Sequence, residues 1–137
     1  MSYFTSRNKL IMSLNQTDAQ QLSAYLANIT QNTELDALAL VTREGMRLAY
    51  SAVPGYEVSP DNLSAMGAVL LQSGNDSVTK IGYNKLIEVV LRGKKSFLVV
   101  SAAGRFFLIG ASRSIRDLGK TVTVFRYYSK KIGETYQ

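Results

Sequence analysis

The chain has 137 residues, 46% of them hydrophobic and 19% charged, the composition of one globular domain with a real core rather than of a disordered or fibrous chain. It contains no cysteine and no histidine, which excludes disulfides, thiolate and imidazole metal sites, cysteine nucleophiles and the histidine-based triads of most hydrolases. A net charge of +6 suits nucleic acid, an anionic membrane surface or an acidic protein partner without choosing among them.

Residues 1–14 mix Arg7 and Lys9 with Tyr3, Phe4, Leu10 and Ile11 and read as a tail or as an extension of the first helix; residues 15–137 form the domain. No apolar run approaches the roughly 20 residues that span a bilayer, and no signal-type segment opens the chain, so a cytoplasmic location is expected. Thr17 followed by Gln20 matches a capping box, and Leu22, Leu26 and Ile29 give a helical stripe to Gln31. Residues 35–43 (LDALALVTR) and 46–51 (MRLAYS) flank a Glu44-Gly45 turn and predict a hairpin. In its second strand Met46, Leu48 and Tyr50 alternate with more polar or smaller neighbours.

Residues 59–82 predict the central helix. Ser59 suits the N-cap, Pro60 the first helical position, and Asp61 the positive end of the helix dipole. Leu63, Met66, Val69, Leu70, Leu71, Val78 and Ile81 cover an arc roughly 200° wide, twice that of an ordinary surface helix. The other side, centred on Ala65, Ala68 and Gln72 with Ser64 at its margin, is small and uncharged. Leu63, Leu70 and Ile81 are expected in the core, and the Ala65 and Ala68 side is expected to face a partner.

Residues 85–92, 96–102 and 106–111 are β-branched and aromatic runs separated by Gly93-Lys94-Lys95 and Gly104-Arg105, which predicts an antiparallel meander. Gly110 marks a bend or a close approach of backbone. A last helix is expected from Ser112 or Ser114 to Ile132, with Ile115, Leu118, Val122, Phe125 and Ile132 on one side and Arg113, Arg116 and Lys120 on another. The fold class is α+β (an α/β sandwich): a single five-stranded antiparallel sheet with three helices in the order α-β-β-α-β-β-β-α.

No motif brings catalytic chemistry. Gly119-Lys120-Thr121 ends like a P-loop, but Ser114 stands where the first glycine is required and the tripeptide lies inside a helical pattern. The ten carboxylates are scattered and match no calcium-loop or paired-acid spacing. Glu88 sits within an apolar strand, where it serves either as an edge-protecting charge or as an ordinary exposed position. No metal or cofactor is therefore expected. Two basic groups, Arg92 with Lys94 and Lys95, and Arg113, Arg116, Lys120, Lys130 and Lys131 near Tyr127 and Tyr128, raise the alternative of a basic adaptor for nucleic acid or an anionic membrane. No nucleic-acid motif accompanies them. A ligand-sensing domain of the PAS or profilin-like type shares the mixed architecture, but no convergent polar pocket is legible.

The element order, with EGMRLAYSAVPG before the central helix, DNLSAMGAVLLQSG within it and KLIEVVLRGKKSFLVVSAAGRFFLIGAS after it, resembles the roadblock/dynein light chain family. The likeness runs from Leu22 to the last helix, and Ser64 to Ala68 (SAMGA) is its most family-like part. It departs from the family at the hairpin turn, where Glu44 precedes Gly45 instead of aspartate. The resemblance implies a nonenzymatic, cytoplasmic module that forms a homodimer, or a heterodimer with another roadblock protein, and serves small Ras-like GTPases, reaching membranes only through partners. It places the dimer interface at Ala65, Ala68, Leu86, Ile87, Glu88, Val89, Val90 and Leu91. It places GTPase binding at Asn62, Ser64, Ala65, Ala68 and Gln72. Some family members stimulate GTP hydrolysis. No arginine finger is identifiable here, so scaffolding is the better supported role.

Overall fold

The computed structural model describes residues 16–114 and 116–137; the expected state of residues 1–14 and the place of Ile115 on the last helix lie outside them. The elements are α1 (Gln16–Asn32), β1 (Ala37–Thr42), β2 (Arg47–Ala52), α2 (Pro60–Lys80), β3 (Glu88–Arg92), β4 (Phe97–Ala103), β5 (Phe106–Ser112) and α3 (Leu118–Thr135). All neighbouring strands are antiparallel, in the order β2-β1-β5-β4-β3. The pairing of β1 with β5, from Ala37 opposite Ala111 to Thr42 opposite Phe106, joins the two groups of strands that α2 separates in the sequence.

Strand periodicity sorts the core into two layers. Ala37, Ala39, Val41, Val100, Phe107 and Ile109 face α2 and pack with Leu63 and Leu71. Their neighbours Leu38, Leu40, Val99, Phe106 and Leu108 face the other way and pack with Leu22, Leu26 and Ile29 of α1 and with Phe125 and Ile132 of α3. The central strands are buried on both faces, so each of their large apolar side chains contributes about 1.5–3 kcal/mol through area removed from water. The result is one sheet with two helices on one face and a single helix on the other.

The boundaries differ from expectation where tertiary partners override local pattern. Thr17 lies within α1 and is not its cap. Period-two burial does not hold in β2, whose first five residues are all half-buried: it is an edge strand, and a bulge opposite Leu40 and Val41 shifts its register. β3 starts three residues later than expected, because the amide of Leu86 donates to the Asn75 side chain of α2 at 3.0 Å instead of to a strand.

α3 also starts later, at Leu118 with Asp117 as N-cap, while Ser112 ends β5. The loop between them is held by carboxylates from the α1–β1 connection. Glu34 accepts the amides of Asp117 (2.7 Å) and Arg116 (2.9 Å) and an Arg116 guanidinium bond (3.2 Å). Those two amides, with the guanidinium, hold its pKa below the ordinary range. Asp36 accepts from both the amide (2.6 Å) and the guanidinium (3.1 Å) of Arg113. Burial works against its ionisation, but the Arg113 contacts outweigh it and the pKa is lowered.

Candidate functional site

The surface of interest is built on α2 and on the edge strand β3. Ser59 caps α2, its hydroxyl accepting the Asn62 amide at 3.3 Å, and Pro60 opens the helix as its fixed φ allows. Leu63 and Leu71 anchor the inner side. Between them Gly67 brings the helix backbone down onto the sheet: a Cβ there would stand 2.7 Å from Cε1 of Phe107 and 3.0 Å from Cδ1 of Ile109. Gly74 repeats the approach farther along, where a Cβ would stand 2.6 Å from Cδ2 of Leu86 and 3.2 Å from Cγ2 of Val89. Small residues thus face inward, against the protomer's own sheet.

That seating turns the helix relative to expectation. Ser64 is fully buried, its hydroxyl donating to the Pro60 carbonyl at 2.8 Å, and it does not reach the outer surface. Met66 and Val69, assigned by periodicity to the apolar arc, are 44% and 63% exposed. Ile81, expected in the core, is exposed, and Leu70 is half-buried. Asn62, Ala65 and Gln72 do lie outside. Ala68 is half-buried beside the β1–β2 turn, where a Cβ on Gly45 would lie 3.5 Å from its own; φ at Gly45 is +94°, a conformation that favours glycine.

β3 forms the adjoining edge. Val90 and Leu91 are 38% and 46% exposed, Ile87 before the strand is exposed, and Leu86 and Val89 are partly covered where Gly74 lets α2 approach. Glu88 is not a free edge charge. Its two oxygens accept from Arg126 of α3 at 2.9 and 2.7 Å, which ties the strand to the opposite layer.

The structure therefore leaves Asn62, Ala65 and Gln72 on the outer side of α2, sets Leu91 on the α2 face of β3 and Val90 on the α3 face, and removes Ser64. Periodicity revealed the excess width of the apolar arc but not which half would be buried, and so missed Met66 and Val69. The overlooked signal is Gly67, which lies opposite Val69 on the wheel and marks the side that meets the sheet. Small uncharged side chains dominate the outer side of α2, where Gln72 donates to Asp76 at 3.4 Å. Among the described residues no group of three or more carboxylates could hold a metal ion, and no helix is long and apolar enough to cross a membrane.

No family model and no curated protein matches the sequence. Solved structures do match. An MglB described as having a tetrameric arrangement has a TM-score of 0.77 at 19% identity, over 88% of this chain and 91% of that one. The gliding protein MglB from Thermus thermophilus also has a TM-score of 0.77, at 20% identity over 88% and 92% of the two chains. A Roadblock/LC7 domain from Streptomyces avermitilis has a TM-score of 0.68 at 16% identity over 80% and 92%. The chain has the roadblock/LC7 fold.

Proposed function

We propose that the chain is a nonenzymatic, dimeric roadblock-type module that binds a small Ras-like GTPase and scaffolds or regulates it. The observation that carries this reading is the exposed apolar surface at Met66 and Val69 on α2 and the strip along the β3 edge, where Leu91 faces the α2 side of the sheet and Val90 the α3 side. Soluble domains seldom leave such a strip uncovered at an open sheet edge unless another chain covers it. Antiparallel pairing of two β3 strands would satisfy the outward-pointing amides and carbonyls of β3, those of Glu88, Val90 and Arg92, which alternate with the residues bonded to β4. It would also bring two α2 helices side by side near Ala65, with Leu86 and Ile87 at the flanks of the junction. Ala68 contributes less than periodicity suggests, because it already packs beside Gly45.

The GTPase would then sit on the remaining outer side of α2, at Asn62, Ala65, Ala68 and Gln72. Small uncharged residues allow the close approach of a mobile switch segment. A family resemblance read from the sequence and a fold shared with MglB support this assignment. The test is capture of the host's small GTPases, loaded with GDP or with a GTP analogue, by the immobilised chain. Wild type is expected to retain one GTPase, in one nucleotide state more than the other. Ala65→Arg and Gln72→Arg are expected to abolish retention with unchanged circular dichroism. Retention by both variants would remove this face from the reading.

A further inference from the structure

On the sheet face opposite α2, the C-terminal half of α3 leaves a groove of about 590 Å³ against β3 and the end of β4. Ile87, Glu88, Ser101, Arg126, Ser129 and Lys130 are among its lining residues. Its volume is in the range of sites that hold small ligands or peptide side chains. Ser129 is 3% exposed, and its hydroxyl has no hydrogen-bond partner among the described residues. A buried hydroxyl without a partner carries a desolvation penalty that a docked polar group would relieve.

The charges at the groove are asymmetric. Glu88 is occupied by Arg126 at both oxygens, so among the described residues Lys130 is the uncompensated charge at the rim. Lys131 follows it, with its ammonium 5.6 Å from the centre of the exposed Tyr127 ring. Between its cap Asp117 and Glu134, α3 carries no carboxylate. We propose that this groove docks an acidic peptide segment of a partner protein. An apolar residue of the peptide enters beside Ile87, a carboxylate meets Lys130, and a polar group reaches the Ser129 hydroxyl.

Charge argues against the other occupants. Residues 1–15 of this chain contain Arg7 and Lys9 and no carboxylate, and a second copy seated in the groove, as distinct from one paired along the β3 edge beside it, would bring a net charge of +6 to a basic rim. The groove opens on the α3 side of the sheet, so its occupant would not compete directly for the α2 surface proposed for the GTPase.

An NMR titration of the isotopically labelled full chain tests the proposal with three probes: a short synthetic Leu/Glu peptide, a Leu/Lys peptide of equal length, and phosphatidylserine-containing vesicles. The Leu/Glu peptide alone should shift the amides of Ile87, Ser101, Ser129 and Lys130, with affinity falling as salt rises. Lys130→Glu should weaken it roughly tenfold, the order expected when an exposed attraction becomes a repulsion. Ser129→Ala should raise the Tm of the free protein, by removing the unpartnered hydroxyl, while weakening the peptide severalfold. Equal shifts with the Leu/Lys peptide, shifts with vesicles but not peptide, or no shift at the groove would overturn the proposal. So would movement of the groove amides on replacing Phe4 and Ile11 with aspartate in the absence of peptide, which would assign the groove to residues 1–15.

Discussion

The two edges of the sheet, β2 and β3, face the same hazard and answer it differently. An edge strand offers unpaired amides and carbonyls to any other strand. On β2 the register is broken by a bulge, Arg47 is ion-paired to Asp61 at 3.5 Å, and no large apolar side chain is exposed. On β3 the pairing with β4 is regular from Glu88 to Arg92, and Val90 and Leu91 lie open. Its two charges stand at its ends, Glu88 and Arg92, and Glu88 is neutralised by Arg126 and so does not repel an approaching strand. A chain that blunts one edge and leaves the other smooth and apolar has an edge suited to a partner, which is why the proposed dimer uses β3.

The largest expected effect comes from erasing the difference altogether. Leu63 is fully buried under α2, and Leu63→Ala should cost about 2–5 kcal/mol in urea unfolding. As α2 loosens, amides on β2 and β3 should exchange at similar rates; exchange that stays confined to one edge would show that α2 does not govern both. A smaller, more local change is to place lysine at Val90 and Leu91 together. Light scattering should then report half the wild-type mass, whereas lysines at Ala49 and Ser51 of β2 should leave the mass unchanged. A wild-type mass already equal to one chain at high micromolar concentration would contradict pairing through β3. The smallest effect is expected from Arg126→Met. Its guanidinium is largely exposed, so thermal unfolding should report little change, while the freed Glu88 carboxylate weakens association at β3.

Much of this comparison was legible in the sequence, though not its sign at every residue. The strands announced themselves through β-branched and aromatic runs, and Ser59-Pro60 marked the start of α2, because those signals act over a few residues. What stayed hidden depended on distant partners. Asp117 became the cap of α3 because Glu34 and Asp36, some 80 positions earlier, hold the intervening loop. A local reading could not supply that. The exposure of Met66 and Val69 and the burial of Ser64 were likewise invisible, since a helical wheel orders residues around an axis but does not say which sector meets the sheet. The unpartnered hydroxyl of Ser129 has no local signature at all.

The close seating at Gly67 has a mechanical side. Gly67 rests on Phe107 and Ile109 of β5, and the next residue of that strand, Gly110, is closed on its other side by Phe125 of α3 and by Leu35: a Cβ there would stand 2.9–3.0 Å from both. The middle strand is thus gripped from above and below with no compressible layer of side chains between backbone and neighbour. Close-packed interiors transmit displacement instead of absorbing it. A partner that pushes α2 inward therefore moves β5 and leans on Phe125. The two outer surfaces of the protein are in effect opposite sides of one stiff wall.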